Sequence, residues 1–198
     1  MKIDPLNEIE LVSERLVLKV PDPTFSMRLL KYYGDNRDFF QLSMPAFNEK
    51  FFTREYQDER LWTEFELMIE DRGLRFCIFK REDLLYEKII GDVSISNVIR
   101  GESQSCNLGF KLDNLETGKG FMEEALKVFI DYIFNELRLH RIEVETLPSN
   151  APSIKLLKKL GFKQEGIAEK FLYINGEWKD HLRFSLINLN KDYQITTV

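Results

Sequence analysis

The stretch from Cys106 to Phe162 constrains the fold more than any other part of the chain. It opens with Cys106-Asn-Leu-Gly-Phe-Lys-Leu112, a run with strand character. Gly118-Lys-Gly-Phe-Met-Glu-Glu-Ala125 follows, two glycines leading into a helix. Arg141-Ile-Glu-Val-Glu-Thr-Leu147 alternates as a strand does, and Asn150-Ala-Pro-Ser153 opens a helix that closes on Leu160-Gly-Phe162. Glycines where a strand passes into a helix let backbone N–H groups close around a phosphate, at the positive end of the helix dipole. A site for a nucleotide-like cofactor follows from this order.

The rest of the chain supplies a sheet for that unit to join. Arg15-Leu-Val-Leu-Lys-Val20 alternates and reads as the first strand, ended by Pro21-Asp-Pro23. Helical spacing runs from Phe25 to about Phe40 and again from Thr53 to Glu70, where Leu61, Phe65 and Met68 share one face. A loop, 41–48, separates the two helices. Strands are expected at Arg75–Phe79, Ile89–Ile95, Ser105–Leu112 and His140–Leu147. Gly120–Leu137 is an amphipathic helix with Met122, Leu126, Phe129, Ile130 and Ile133 on one side. A short helix runs from Ser153 to Leu160, with Gly161 at its left-handed end. Strands at Ile167–Ile174 and Trp178–Leu189 close the chain, and Asn175-Gly176 between them is a strong hairpin signal. The sum is a mixed α/β (α+β) sheet flanked by helices.

Composition narrows the function. With 198 residues and no linker or repeat, the chain is expected to be one domain, 1–198. A 43% apolar and 13% aromatic content suits a packed core, and the 16 phenylalanines belong mainly there. A net charge of −5 makes a nucleic-acid partner unexpected, because neutralising phosphates needs a basic face. Lys155, Lys158 and Lys159 form the one local basic group of note. The two cysteines, Cys77 and Cys106, lie far apart in apolar contexts and show no zinc spacing, so no metal is expected. Met1-Lys-Ile-Asp-Pro5 has no apolar signal core, and no apolar run nears the roughly 20 residues that cross a bilayer. The expected setting is the cytoplasm, with no membrane partner. Gly-x-x-x-x-Gly-Lys-Ser/Thr is absent, which excludes a P-loop.

Four ordered pieces carry a family resemblance. Gly118-Lys-Gly-Phe with Glu124-Ala125 resembles the acyl-CoA loop of the GNAT N-acetyltransferases, and Asn150-x-x-Ser153 with Leu160-Gly161-Phe162 is similar to their second signature. Ser13-Glu-Arg-Leu-Val-Leu18 and Tyr173-Ile-Asn-Gly-Glu-Trp-Lys-Asp180 resemble the start and the closing hairpin of the RimJ/RimL-like, ribosomal-protein N-terminal acetyltransferase branch. The resemblance implies a mostly antiparallel seven-stranded sheet, splayed between strands 4 and 5 where acyl-CoA lies. It implies transfer of an acetyl group from acetyl-CoA to a primary amine, most of all a protein N-terminal α-amine. A small-molecule amine (a polyamine, an amino sugar or an antibiotic) and a non-catalytic acyl-CoA sensor are the rival readings. Monomer and homodimer are both open.

The resemblance also places residues. Backbone N–H groups of Gly118, Lys119, Gly120, Phe121 and Met122 would cradle the pyrophosphate. Phe110, Lys111 and Leu112 would offer strand groups to the pantetheine arm. Asn150 would touch the same arm, although a helix cap explains it equally well. Ser153 would sit near the thioester sulfur and protonate the departing thiolate. For the base that accepts the amine's proton, the candidates are Asp92, Glu143, Glu145, Asp180 and His181. Glu143 is favoured for its place beside the cleft and Asp180 for its place in the closing motif. Phe47, Tyr173 and Trp178 are the expected acceptor-lining residues. Three departures from the family pattern stand out: Leu115 replaces a polar residue before the glycines, Leu157 a tyrosine, and Leu172 a glutamate.

Overall fold

A computed structural model describes residues 9–189; the Met1–Pro5 segment and the two ends of the 1–198 span lie outside it. Eight strands form one sheet in the order β1-β2-β3-β4-β5-β6-β8-β7. They are β1 (Glu10–Val12), β2 (Leu16–Lys19), β3 (Leu74–Lys80), β4 (Gly91–Ile99), β5 (Ser105–Leu112), β6 (Arg141–Thr146), β7 (Lys163–Ile174) and β8 (Glu177–Ile187). Among the described residues only the β5–β6 pair is parallel. The count is eight, not seven, because Glu10–Val12 folds back on Leu16–Lys19 as an extra strand. Three residues were too few to show an alternation in the sequence.

The helices are α1 (Ser26–Asp35), α2 (Arg37–Gln41), α3 (Arg54–Ile69), α4 (Phe121–Asn135) and α5 (Ala151–Lys159). The expected helix over Phe25–Phe40 is therefore two, broken at the buried Asn36. The Asn36 amide donates to Tyr32 O, and its Oδ1 accepts from the Asn114 N–H, tying the break to the end of β5. Thr53 caps α3, its hydroxyl accepting from the Tyr56 N–H. On α3 the inward residues are Gln57, Leu61 and Met68, whereas Phe65 faces solvent.

Alternation in the strands feeds two cores, one on each face of the sheet. Phe76 and Ile78 of β3 meet Leu126, Phe129 and Ile133 of α4, together with Leu157 of α5. Cys77 and Phe79 meet Leu29, Tyr32 and Tyr33 of α1 and Leu61 of α3. Each buried Leu or Phe contributes roughly 1.5–3 kcal/mol of hydrophobic stabilisation. Burial also raises the Cys77 thiol far above its ordinary range and the Cys106 thiol to about 12, so both stay protonated and pack as small apolar groups.

The parallel pair positions the site. β5 and β6 pair only at Ser105↔Arg141, Cys106↔Ile142 and Asn107↔Glu143. From Leu108 to Leu112, β5 keeps its ladder with β4 but has none with β6. This is the expected splay, one strand number higher because of the extra strand.

Candidate functional site

α4 starts where the splay opens, and its first turn is held open by glycine geometry. Gly118 and Gly120 have φ of +75° and +81°, a region that costs other L-residues about 1–2 kcal/mol. Gly120 is the residue before the helix proper and makes no side-chain cap. Among the described residues, the N–H groups of Gly118, Lys119, Gly120, Phe121 and Met122 have no acceptor. Five unpaired amides at the positive end of a 15-residue helix make a strong anion cradle, and a diphosphate fits it. The glycines are required by backbone angle: a Cβ on Gly118 would meet nothing within 4 Å, and one on Gly120 would come 3.4 Å from Arg15 Nη2.

The N-terminal hairpin fastens this turn. The Ser13 hydroxyl and the Arg15 N–H both donate to Glu124 Oε1 at 2.7 Å, and Arg15 Nε donates to Oε2 at 2.6 Å. Arg15 also donates to Lys119 O and lies 4.6 Å above the Phe121 ring. Burial pushes the Glu124 carboxyl up, but the Arg15 N–H, the Ser13 hydroxyl and the guanidinium outweigh it and hold its pKa below the ordinary value. Met122 is buried, so its side chain serves the core and only its amide faces the cradle. Leu115 is 73% exposed and offers no polar contact.

Phe110, Lys111 and Leu112 lie on the unpaired part of β5, where backbone groups on the β6 side have no strand to meet. The Lys111 side chain points to the other business of that strand: its Nζ is 3.0 Å from Asp92 Oδ1. Asp92 is fully buried and also bonded by Arg75, Tyr32 and Tyr33. Burial alone would raise its pKa, but Lys111, Arg75 and Arg60 outweigh burial and lower it. An anion so enclosed anchors three elements and is no base.

α5 is capped as the sequence suggests, Asn150 Oδ1 accepting from the Ser153 N–H at 3.2 Å. The Ser153 hydroxyl is half-buried in the first turn and has no partner among the described residues. Leu157, one turn on, is fully buried in the core.

The two candidate bases on β6 separate. Glu143 sits at the closed end of the pair, opposite Asn107, and accepts from Arg141 Nε at 2.6 Å. Arg141 bonds Glu165 as well, so Glu143 is one member of a three-residue ion cluster. Glu145 lies two residues further into the splay on the same face. Asn107 Nδ2 reaches it from β5 at 3.1 Å, Arg183 Nε stands 3.8 Å away, and its side chain is 14% exposed. Gly109, the next residue of β5 on that face, brings no side chain of its own, and Ser94 Oγ of β4 lies 3.2 Å from where its Cβ would stand.

Beyond the mouth of the splay is a cleft of about 520 Å³, lined by Leu42, Leu147, Pro148, Ser149, Ile174, Asn175, Trp178, Lys179 and Asp180. Leu147–Ser149 leads directly into Asn150, so the cleft adjoins the start of α5. Asn175 Nδ2 donates to Gln41 O, fixing the closing hairpin against the end of α2. Asn175 and Gly176 both have positive φ, as a two-residue type I′ turn requires. Trp178 lines the cleft, and Tyr173 packs against it edge-on at 5.7 Å without lining it. Phe47 does neither; it stacks on Phe51 at 4.0 Å in the core beneath α1 and α3. Asp180 borders the cleft but spends Oδ1 on the Lys170 N–H, where β7 bulges with φ +48°. His181 is buried, with Nδ1 donating to Lys179 O and the ring edge-on to Phe171. Neither the Glu124 clamp nor the Asn175–Gln41 tie could be read from the sequence, since their partners are more than 100 residues apart. Among the described residues, no His/Cys/Asp/Glu group could hold a metal ion, and no helix is long and apolar enough to cross a membrane.

A family model described as an acetyltransferase (GNAT) domain matches residues 26–163. The probable N-acetyltransferase YjcK of Bacillus subtilis is 40% identical over 155 residues, 78% of this chain and 84% of its own. The ribosomal protein uS5-alanine N-acetyltransferase of Escherichia coli is 33% identical over 179 residues, 90% of this chain and 91% of its own. The crystal structure of the ribosomal-protein-S5-alanine acetyltransferase from Vibrio fischeri superposes with a TM-score of 0.87 at 34% identity, covering 94% of this chain and all (100%) of that one.

Proposed function

The chain belongs to the GNAT acetyltransferases, acetyl-CoA-dependent enzymes that acetylate amines, and from that premise we propose that its acceptor is a protein N-terminal α-amine, on a ribosomal-protein-like substrate. The observation that carries the reading is the cleft bounded by α2, the loop before α5 and the closing hairpin. It opens beside the splay and has room for the first residues of an extended chain end. Likeness to the uS5-alanine enzyme across 90% of the chain supports the same class of acceptor.

The chain's own groups divide the chemistry. Amides of residues 118–122 would hold the pyrophosphate, and the unpaired edge of β5 with Asn150 would hold the pantetheine arm. Bound acetyl-CoA supplies the acyl group as a thioester. Glu145, on the acceptor side of the splay and free of a tight ion pair, replaces Glu143 as the group that takes the ammonium proton. The freed amine nitrogen attacks the thioester carbonyl, the new C–N bond forms and the C–S bond breaks. Ser153 would hand its proton to the departing thiolate and take one back from the nitrogen, which sheds its second proton as it becomes the amide. Asp180 acts on the fold of the hairpin, holding the β7 bulge in place. With Glu145 and Ser153 present, the leucines at 157 and 172 do not require a silent sensor. Mass spectrometry of a panel of peptides, polyamines and amino sugars incubated with the protein and acetyl-CoA tests the reading. Acetylation confined to peptide α-amines is expected; acetylation of polyamines or amino sugars alone would overturn the acceptor assignment.

A further inference from the structure

α3 has an outer flank that the fold leaves unused. Its inward face is Gln57, Leu61 and Met68, and Arg60 and Glu64 extend from it toward Tyr33 of α1 and Arg75 of β3. At about 100° per residue, Trp62, Phe65 and Ile69 form a second stripe, turned away from α1 by roughly a quarter turn. They are 60%, 40% and 48% exposed, and Trp62 and Phe65 meet edge-on at 6.1 Å. Glu55, Glu59 and Glu66 run along the outer rim of the stripe. All three are exposed, and none has a cationic partner among the described residues. None of these residues lines the acceptor cleft.

We propose that this flank of α3 docks a basic amphipathic segment of another protein, its apolar side chains on Trp62, Phe65 and Ile69 and its lysines or arginines on Glu55, Glu59 and Glu66. Charge complementarity selects the occupant. Three unpaired carboxylates beside an apolar stripe repel nucleic-acid phosphates and anionic lipid headgroups. A second copy packed flank to flank would set its own three carboxylates against these. A cationic amphipathic helix satisfies both halves of the surface, burying apolar area while pairing charge.

The test uses the full chain and a fluorescently labelled helical Lys/Leu peptide of about 18 residues, with its Glu/Leu counterpart and phosphatidylserine vesicles as the competing probes. Binding is read by fluorescence anisotropy, and self-association by sedimentation. Two variants, Trp62→Ala with Phe65→Ala, and Glu55→Lys with Glu59→Lys and Glu66→Lys, change only exposed positions. Unaltered circular dichroism and acetyl-CoA affinity verify their fold. The proposal expects saturable binding of the Lys peptide, weakened by salt and by about tenfold or more in each variant. It is overturned if the Glu peptide binds as well, if the variants bind unchanged, if no peptide binds, if vesicles are preferred, or if the flank proves to hold a second copy. The peptide needs no acetyl transfer, so failure of the acceptor assignment leaves this outcome readable.

Discussion

Gly120 meets two demands, a left-handed backbone and an open N–H, and only glycine meets both without strain. Gly120→Glu adds about 1–2 kcal/mol of backbone strain and sets a carboxylate where the pyrophosphate would lie. Acetyl-CoA affinity should fall at least tenfold, about 1.4 kcal/mol, in calorimetry on folded protein. Equal affinity in mutant and parent would mean these amides do not hold the ligand. At Glu145 the demand is on charge. Glu145→Gln keeps the shape and the Asn107 contact but cannot accept a proton, so kcat should drop about 100-fold while acetyl-CoA affinity holds. If kcat is retained, the base lies elsewhere. Ser153→Ala should lower kcat more than affinity, since its hydroxyl has no structural bond to lose. An unaltered kcat would leave thiolate protonation to water.

Elements were legible where one chemical signal fixed each end. Asn150 before α5 and Asn175-Gly176 in the hairpin both stand where their side-chain and backbone chemistry requires, whereas Thr53, which periodicity counts as part of the helix, stands just before α3 as its cap. The break at Asn36 was not legible, because its cause is a hydrogen bond to Asn114, distant in sequence. Nor was the exposure of Phe65: helical spacing places it near Leu61 and Met68, and only packing decides which flank is covered. Asp92 shows how several elements share one anchor, taking bonds from α1, β3 and β5. Its pKa is depressed below the ordinary 3.8. Its contribution is therefore complete above that unfolded-state value and is lost as pH falls through the lower folded one. Asp92→Asn strands Lys111 and Arg75 in a buried site and should cost about 3–5 kcal/mol at neutral pH. In urea titrations the gap between mutant and parent should narrow from pH 4 downward; a gap constant with pH would show that packing, not charge, is what the substitution removes.

Across the whole molecule, the sheet is continuous but its middle seam is thin. Three residue pairs join β5 to β6, against six between β6 and β8 and seven between β4 and β5. The glycine loop and the strands either side of the seam could be read from local sequence. The preference proposed for Glu145 over Glu143 could not, because both alternate onto one face, and they differ only in where pairing stops and in the ion cluster that Arg141 and Glu165 build around Glu143. The same thin seam makes a global prediction. A ligand lying between Leu108–Leu112 and β6 would supply contacts the ladder lacks and join the two halves of the sheet. At one hundred times its Kd, acetyl-CoA should stabilise the fold by about 2.7 kcal/mol. For a chain of this size that is a rise in Tm of roughly 5–11 °C. Hydrogen exchange should slow most at the amides of β5 beyond Asn107 and at the first turn of α4, where the unpaired N–H groups are. The far strands β1 and β7 should change only with the global stability. Protection spread evenly over all eight strands would mean the ligand binds outside the seam, whatever the size of the shift in Tm.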